Sequence, residues 1–405
     1  RCGGVLLVFQ IRKRHSALSG LERRPTSSWM LSCRAGRSSA EWFFRGFSDL
    51  EHKGETQVSY RDAVFCLAVL LSAFSPGAVA WDHPGHMTTA AIAFQDIEKA
   101  RPGLIEKLGL LFLAHPDPAP FWVAAGEAKG KERTRRMFLE CARWADDSKF
   151  TPRDMLTWHT ARWPILAGDA PSQAREAVAA RGDKPTGQAI EAANLNFAML
   201  SNHESSPAER ALGLCWVLHI VGDIHQPWHV TDLYSAEFPT GNAAAGLSYV
   251  ADPLSDTTIP LHILWDSNVL RTPSLEAVDE AAAEYRQRNP RSSYPELKSN
   301  PVEGADFFRA WARESHEVAR DWAADIESVR DTESEQDAET LVKNMVNFIL
   351  NGVSPVAEAP EVPAEYWQNL QQTAERRITL AGYRIADLVV AAADDIEAGR
   401  EFIGR

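Results

Sequence analysis

The sequence predicts an all-α fold, a single multi-helix domain, on three observations. Seven stretches repeat apolar residues at spacings of three and four, the period of a helix with one buried face. No run of alternating polar and apolar residues is long enough to require a sheet. The segments between the periodic stretches are polar and carry Gly and Pro, which punctuate helices.

Taken in order, residues 1–62 are rich in Arg and Ser without a sustained period, and read as a leader or disordered extension outside the fold. Residues 63–80, AVFCLAVLLSAFSPGAVA, carry no charge, and Pro76-Gly77 breaks the run before Ala78-Val79-Ala80. An apolar stretch, a breaker and a small-x-small site are the pattern of a signal peptide; a single transmembrane anchor is the alternative, against which the late Pro-Gly and the Ala-x-Ala favour cleavage. Cleavage after Ala80 and export to the periplasm or medium are expected, with no lasting membrane association. The domain proper is 81–405. Its periodic stretches are 86–100, 131–147, 186–201, 206–226, 303–328, 338–350 and 364–397. In the last, Leu370, Ala374, Ile378, Leu380, Ala381, Ile385, Leu388 and Val389 trace one stripe. Segments 165–185, 235–260 and 288–302 read as loops, and 235–260 is long enough to suggest a functional one.

Charge divides the chain. Residues 1–80 hold 11 Lys+Arg against 6 Asp+Glu, whereas the rest holds 31 against 49. An acidic body repels polyanions at long range and lacks the basic groove by which proteins usually hold nucleic acid. If the substrate is a phosphate ester, bound cations must attract it locally. There is no Gly-rich phosphate loop and no G-x-S-x-G elbow. Of five cysteines, only Cys141 and Cys215 follow residue 80, and they could be paired or remain buried thiols.

The chemistry concentrates in LCWVLHIVGDIHQPWHV, residues 214–230. His219 and Asp223 are four apart and share one helix face. Pro227 ends the helix, and His229 follows. Three histidines and an aspartate lie within 11 residues of an apolar helix. Buried charge without a partner is costly, and imidazole with carboxylate suits zinc. LHILWDSNV repeats the spacing with His262 and Asp266. CARWADDSKFTPRDMLTWHTARW adds Asp146, Asp147, Lys149 and His159, and WDHPGH adds Trp81, Asp82, His83 and His86.

Together these segments resemble the zinc-dependent single-strand nuclease and 3′-nucleotidase family. The resemblance rests on Trp81 with His86 five residues on, Trp144-Ala145-Asp146 and Trp158-His159. It continues through His219, Asp223, His225-Gln226-Pro227 and His229, then Leu261-His262 with Trp265-Asp266, all in the family order. The similarity spans roughly 81–395. It implies three zinc ions per chain. Asp146, His159, His219 and Asp223 would hold the first. Asp223 would bridge to a second, completed by His86 and the main-chain amine and carbonyl of Trp81. His229, His262 and Asp266 would hold the third. Asp146 and Lys149 are the candidate catalytic groups, Lys149 standing where the family has Arg. Arg162, Trp163 and Asn242 are the candidate substrate contacts. The implied substrates are single-stranded nucleic acid and 3′-nucleotides, cut by a monomer. His225 reads as a packing residue and His83 as a loop residue.

Three departures bear on substrate choice. Thr160-Ala161-Arg162 follow His159 where the family offers a base-holding aromatic, segment 235–260 is long, and 65 residues separate Trp81 from Asp146. Two other functions remain open: a zinc-dependent phospholipase C-like phosphoesterase, and a secreted zinc-binding protein without activity. The short Trp81–His86 interval and Asp266 favour the nuclease.

Overall fold

A computed structural model describes residues 81–399, apart from 150, 269, 271–272, 298–305 and 330–358, together with two short strands nearer the start. The chain divides into two units, Arg1–Val69 and Leu70–Arg405. In the first, β1 (Leu7–Phe9) pairs antiparallel with β2 (Cys33–Ala35). The expected leader and the signal peptide with its cleavage site otherwise lie outside the described residues, as does the expected helix 338–350.

The second unit is helical. Among the described residues its helices are α1 (His83–Ala100), α2 (Leu104–Leu113), α3 (Ala119–Ala125), α4 (Gly130–Asp147), α5 (Ser172–Arg181), α6 (Ala189–Ser201), α7 (Pro207–His225), α8 (Leu261–Asp266), α9 (Leu275–Arg288), α10 (Phe307–Val329) and α11 (Ala364–Glu397). α1 begins three residues before the periodic stretch because Asp82 caps it, accepting the Gly85 amide, with Pro84 in the first turn. α7 begins on a capping box, Ser206 with Glu209, which satisfies two amides that a helix start leaves open. α1 packs against α4, α9 and α11, and α7 against α4, α6 and α11.

The structure corrects one expectation and adds detail to the all-α class. Residues 165–185 contain α5, which buries only Ala174 and therefore shows no apolar stripe to read. Short strands also occur: β3 (Trp163–Leu166) runs parallel to β4 (Thr231–Tyr234), and β5 (Tyr249–Ala251) antiparallel to β6 (Thr258–Pro260). Strands of three or four residues are too short to display an alternation. Helices α2 and α3 fill the interval between α1 and α4.

Among the described residues two apolar clusters form the core. The larger includes Trp81, Trp144, Trp163 and Trp216 beside the helix stripes. The smaller gathers Trp228, Leu233, Val250, Leu264, Trp265 and Trp322. No helix among the described residues is long and apolar enough to cross a membrane.

Candidate metal centre

α7 carries the middle of the site. One turn separates His219 from Asp223, and both side chains are fully buried. α4 ends beside them and brings Asp146. A 3-10 turn over Leu156–His159 delivers His159. α1 brings His86, whose ring stacks on that of His219 at 4.0 Å between centroids. Beyond Pro227 a second 3-10 turn sets His229, and α8 supplies His262 and Asp266.

These residues converge in three buried groups: His86, His219 and Asp223; Asp146, His159 and His219; His229, His262 and Asp266. Within each, ligand-type atoms all lie within 4.8 Å of one another. His86 Nε2 is 3.3 Å from Asp223 Oδ1, and His159 Nδ1 is 3.2 Å from Asp223 Oδ2. Asp223 thus faces the first two groups with its two oxygens. His262 Nε2 is 3.2 Å from Asp266 Oδ2, and His229 Nε2 is 3.8 Å from Asp266 Oδ1.

Three imidazoles are oriented from behind. His219 Nδ1–H donates to the Ala142 carbonyl at 2.8 Å, His229 Nδ1–H to the His159 carbonyl at 2.8 Å, and His262 Nδ1–H to the Ala244 carbonyl at 2.7 Å. Each bond fixes the tautomer and turns the Nε2 lone pair inward, as metal-ligating histidines require. Gln226 Nε2 donates to Asp266 Oδ1 at 2.6 Å. Both Asp223 oxygens, His229 Nε2, His262 Nε2 and Asp266 Oδ2 are buried without a well-formed hydrogen bond. Lone pairs that face only one another are expensive, and a divalent cation is the partner that fits oxygen and imidazole donors so arranged.

The protonation preferences agree. Burial lifts the Asp223 carboxyl to about 7, against the pull of the neighbouring His159 imidazole. Burial also lifts Asp266 well above the carboxylate range. It holds His219 and His229 well below the ordinary imidazole value. His262 falls to about 4 through burial, with the Arg162 and Lys149 cations adding to the effect. For Asp146, burial works against ionisation, yet the Lys149 ammonium and the neighbouring His159 and His86 hold it below its usual value. Lys149 Nζ lies 2.8 Å from Asp146 Oδ1. Imidazoles kept neutral and carboxylates that need a nearby cation are the states in which these groups ligate metal.

Trp81 joins the same place. Its side chain is fully buried, its Nε1 donates to the Gly222 carbonyl at 3.0 Å, and the Asp82 amide donates to the Asp266 carbonyl at 3.0 Å. Gly222, which the sequence reading passed over, makes the approach of α1 possible. A Cβ there would stand 2.7 Å from His86 Nδ1. The bare glycine inside an apolar helix was the signal.

Two expected substrate contacts are buried in this structure. Trp163 is only 2 % exposed, donates from Nε1 to the Asp183 carbonyl at 3.2 Å, and has the Arg313 guanidinium 3.9 Å over its ring. It is a core residue with no open face for a base. Asn242 is fully buried, with Oδ1 taken by the Leu233 and Ala245 amides at 3.0 and 3.1 Å, so it shapes its loop. Arg162 stays partly exposed, with Nη1 3.6 Å from Asp232 Oδ2.

His225 lies outside all three groups. Its Nδ1–H donates to the Val221 carbonyl at 2.7 Å, and its Nε2 accepts from Arg384 Nη1 at 2.8 Å. Arg384 in turn grips Glu314 with both arms, at 2.7 and 2.8 Å. His83 sits near the edge, 3.4 Å from Asp147. Cys141 and Cys215 are buried thiols.

Comparison with known proteins agrees with this geometry. The family model described as S1/P1 nuclease matches residues 81–394. Nuclease S1 of Aspergillus oryzae is 26% identical over 249 residues, covering 60% of this chain and 75% of that protein. The match takes in every element that supplies the three buried groups, and the chain belongs to the S1/P1 nuclease family, as a hydrolase that acts on phosphodiester bonds.

Proposed function

We propose that the protein is a three-zinc phosphodiesterase that cuts single-stranded DNA or RNA to 5′-phosphate products and also removes 3′-phosphates from nucleotides. The observation that carries this reading is the set of three buried His/Asp groups whose donor atoms converge on one another. Asp146, His159, His219 and Asp223 would hold the first ion. Asp223 would bridge to the second, shared with His86 and the Trp81 amine and carbonyl. His229, His262 and Asp266 would hold the third. Bound zinc supplies Lewis acidity and makes water nucleophilic at neutral pH.

The chain's own residues do the rest. Asp146, kept ionised beside Lys149, is an acceptor at the place where the reacting phosphate would lie. Lys149 places a positive charge there, and charge developing on phosphoryl oxygens is stabilised by such a fixed cation. It does so as a point charge, without the two-pronged fit of an arginine. Arg162 adds a second cation near His262 for a neighbouring phosphate. These local charges offset an acidic body that would otherwise repel the substrate. Cleavage after Ala80 would release the Trp81 nitrogen as an amine able to ligate, which makes export and activation a single event.

The test is to purify the exported chain, identify its first residue by mass spectrometry, count zinc, and compare cleavage of single-stranded DNA, duplex DNA and phosphatidylcholine. The expected result is Trp81 first, three zinc ions, and single strands cut fastest with 5′-phosphate ends. Fewer than two zinc ions per folded chain would overturn the site. Faster cleavage of the lipid would overturn the substrate.

A further inference from the structure

We propose that Asp232 is a positioning residue that fixes the third ligand group and the cation beside it together. The proposal rests on the metal reading above. Asp232 lies on β4, three residues after His229, opposite Pro164 of β3, and is 6 % exposed. Its two oxygens point to different tasks. Oδ1 accepts the Ala244 amide at 3.2 Å, while Oδ2 lies 3.6 Å from Arg162 Nη1.

Ala244 is the residue whose carbonyl takes the His262 Nδ1–H at 2.7 Å. The carboxylate therefore holds one end of a residue whose other end orients a ligand. That residue needs holding. Ala243, Ala244 and Ala245 have φ of 51°, 61° and 65°, a left-handed run that L-residues avoid because Cβ crowds the following carbonyl. Observed strain of this kind clusters where surrounding structure imposes it for a purpose. Asp232 and Asn242 impose it here, Asn242 from the Leu233 and Ala245 amides. Gly241, at φ 97°, completes the cradle: a Cβ on it would stand 3.0 Å from the Asp232 carboxylate carbon and from both its oxygens.

The same carboxylate bears on substrate. Ala161, next to Arg162, donates its amide to the His229 carbonyl at 3.0 Å, so Arg162 enters beside the third group. Its guanidinium faces an anionic oxygen, Asp232 Oδ2, at 3.6 Å. The path Arg162–Asp232–Ala244–His262 links a phosphate-binding cation to a metal ligand through one side chain that touches neither metal nor substrate.

Two substitutions separate the tasks. D232N keeps an oxygen for the Ala244 amide and removes the charge opposite Arg162. D232A removes both. Zinc retained after dialysis against a weak chelator should be three ions for wild type and D232N and two for D232A, the loss of an orienting partner weakening metal affinity ~10–100-fold. With single-stranded DNA, D232N should raise KM about tenfold and leave kcat within about twofold, and should add nothing in an R162A background, as expected of groups acting as one unit. A folded D232A that keeps three ions as firmly as wild type overturns the metal task. Additive effects of D232N and R162A overturn the substrate task. Should D232A not fold, D232L, which keeps the volume and removes both oxygens, takes its place in the zinc assay with the same expected loss of one ion, while the D232N cycle decides the substrate task. A wild-type chain without zinc overturns the metal reading and this proposal with it, whereas a wild type with three ions isolates failures to Asp232.

Discussion

Replacing Gly222 by Ala tests the geometry of the centre with one methyl group. The new Cβ would meet His86 Nδ1 at 2.7 Å and Cε1 at 2.9 Å. Carbon-type contacts are comfortable only from about 3.5 Å, so the ring must retreat by about 0.7 Å. It stacks on His219 and faces Asp223 Oδ1 at 3.3 Å, and the retreat takes it away from both. Catalytic constellations tolerate about 0.5 Å of displacement, and a 1 Å error costs ~10²-fold. We expect G222A to cleave single-stranded DNA about 10–100-fold more slowly, with its second zinc ion lost on dialysis. The fold should lose no more than about 2 kcal/mol, because alanine gains about 1 kcal/mol of helix propensity over glycine against an overpacking cost of about 1–3 kcal/mol. The assay pairs metal analysis with initial rates, and a melting curve serves as control. A G222A protein with three firmly held zinc ions and the wild-type rate would refute the argument that bare backbone at this point admits His86.

Three further predictions follow from other parts of the molecule. Chelation of metal should lower the melting temperature markedly, because Asp223 and Asp266 are then buried without a compensating charge; zinc should restore it and magnesium, which prefers oxygen ligands and keeps its water, should not, and a chelated protein that melts like the untreated one would count against the centre. Ala243→Gly should stabilise the folded protein by about 1 kcal/mol in urea unfolding, since φ there is 51° and glycine adopts this region freely; a loss of stability would mean the turn is not strained. Burial lifts Glu140 to about 7, with Arg143 opposing and Asp147 reinforcing. The fold then keeps a proton that the unfolded chain gives up near 4.5, so stability should fall as pH rises from about 4.5 through 7. Glu140→Gln should remove this fall, gaining about 2 kcal/mol over wild type at pH 8 and nothing at pH 4 once screening is allowed for; parallel pH profiles of the two proteins would contradict it.

What could be read from the sequence depended on whether it was written locally. His219 and Asp223 announce themselves because helical spacing alone puts them on one face, and the stripe along α11 needs no partner to be seen. α5 left no trace, since a helix that buries one alanine has the composition of a loop. The burial of Trp163 was hidden for a related reason: its pairing with Thr231 across β3 and β4 turns the indole into the core, and a four-residue strand does not advertise its inward side. Asn242 is polar in a loop, a pattern that suggests contact with solvent or substrate, yet the left-handed alanines beside it draw it inside. Gly222 and Asp232 matter through what approaches them from distant elements, and such approaches are not encoded in any neighbouring residue.

The pinning of Asp82 to Asp266 and of His225 to Arg384 carries a consequence for the order of events in making the protein. The three groups draw on residues from His86 to Asp266, an interval of 180 positions, and the arginine behind α7 arrives only with the closing helix. Contacts so far apart in sequence form late in folding, and a chain emerging from the ribosome offers its first half without the rest. A nascent copy therefore carries the His and Asp side chains of the three groups well before the elements that bring them together have met.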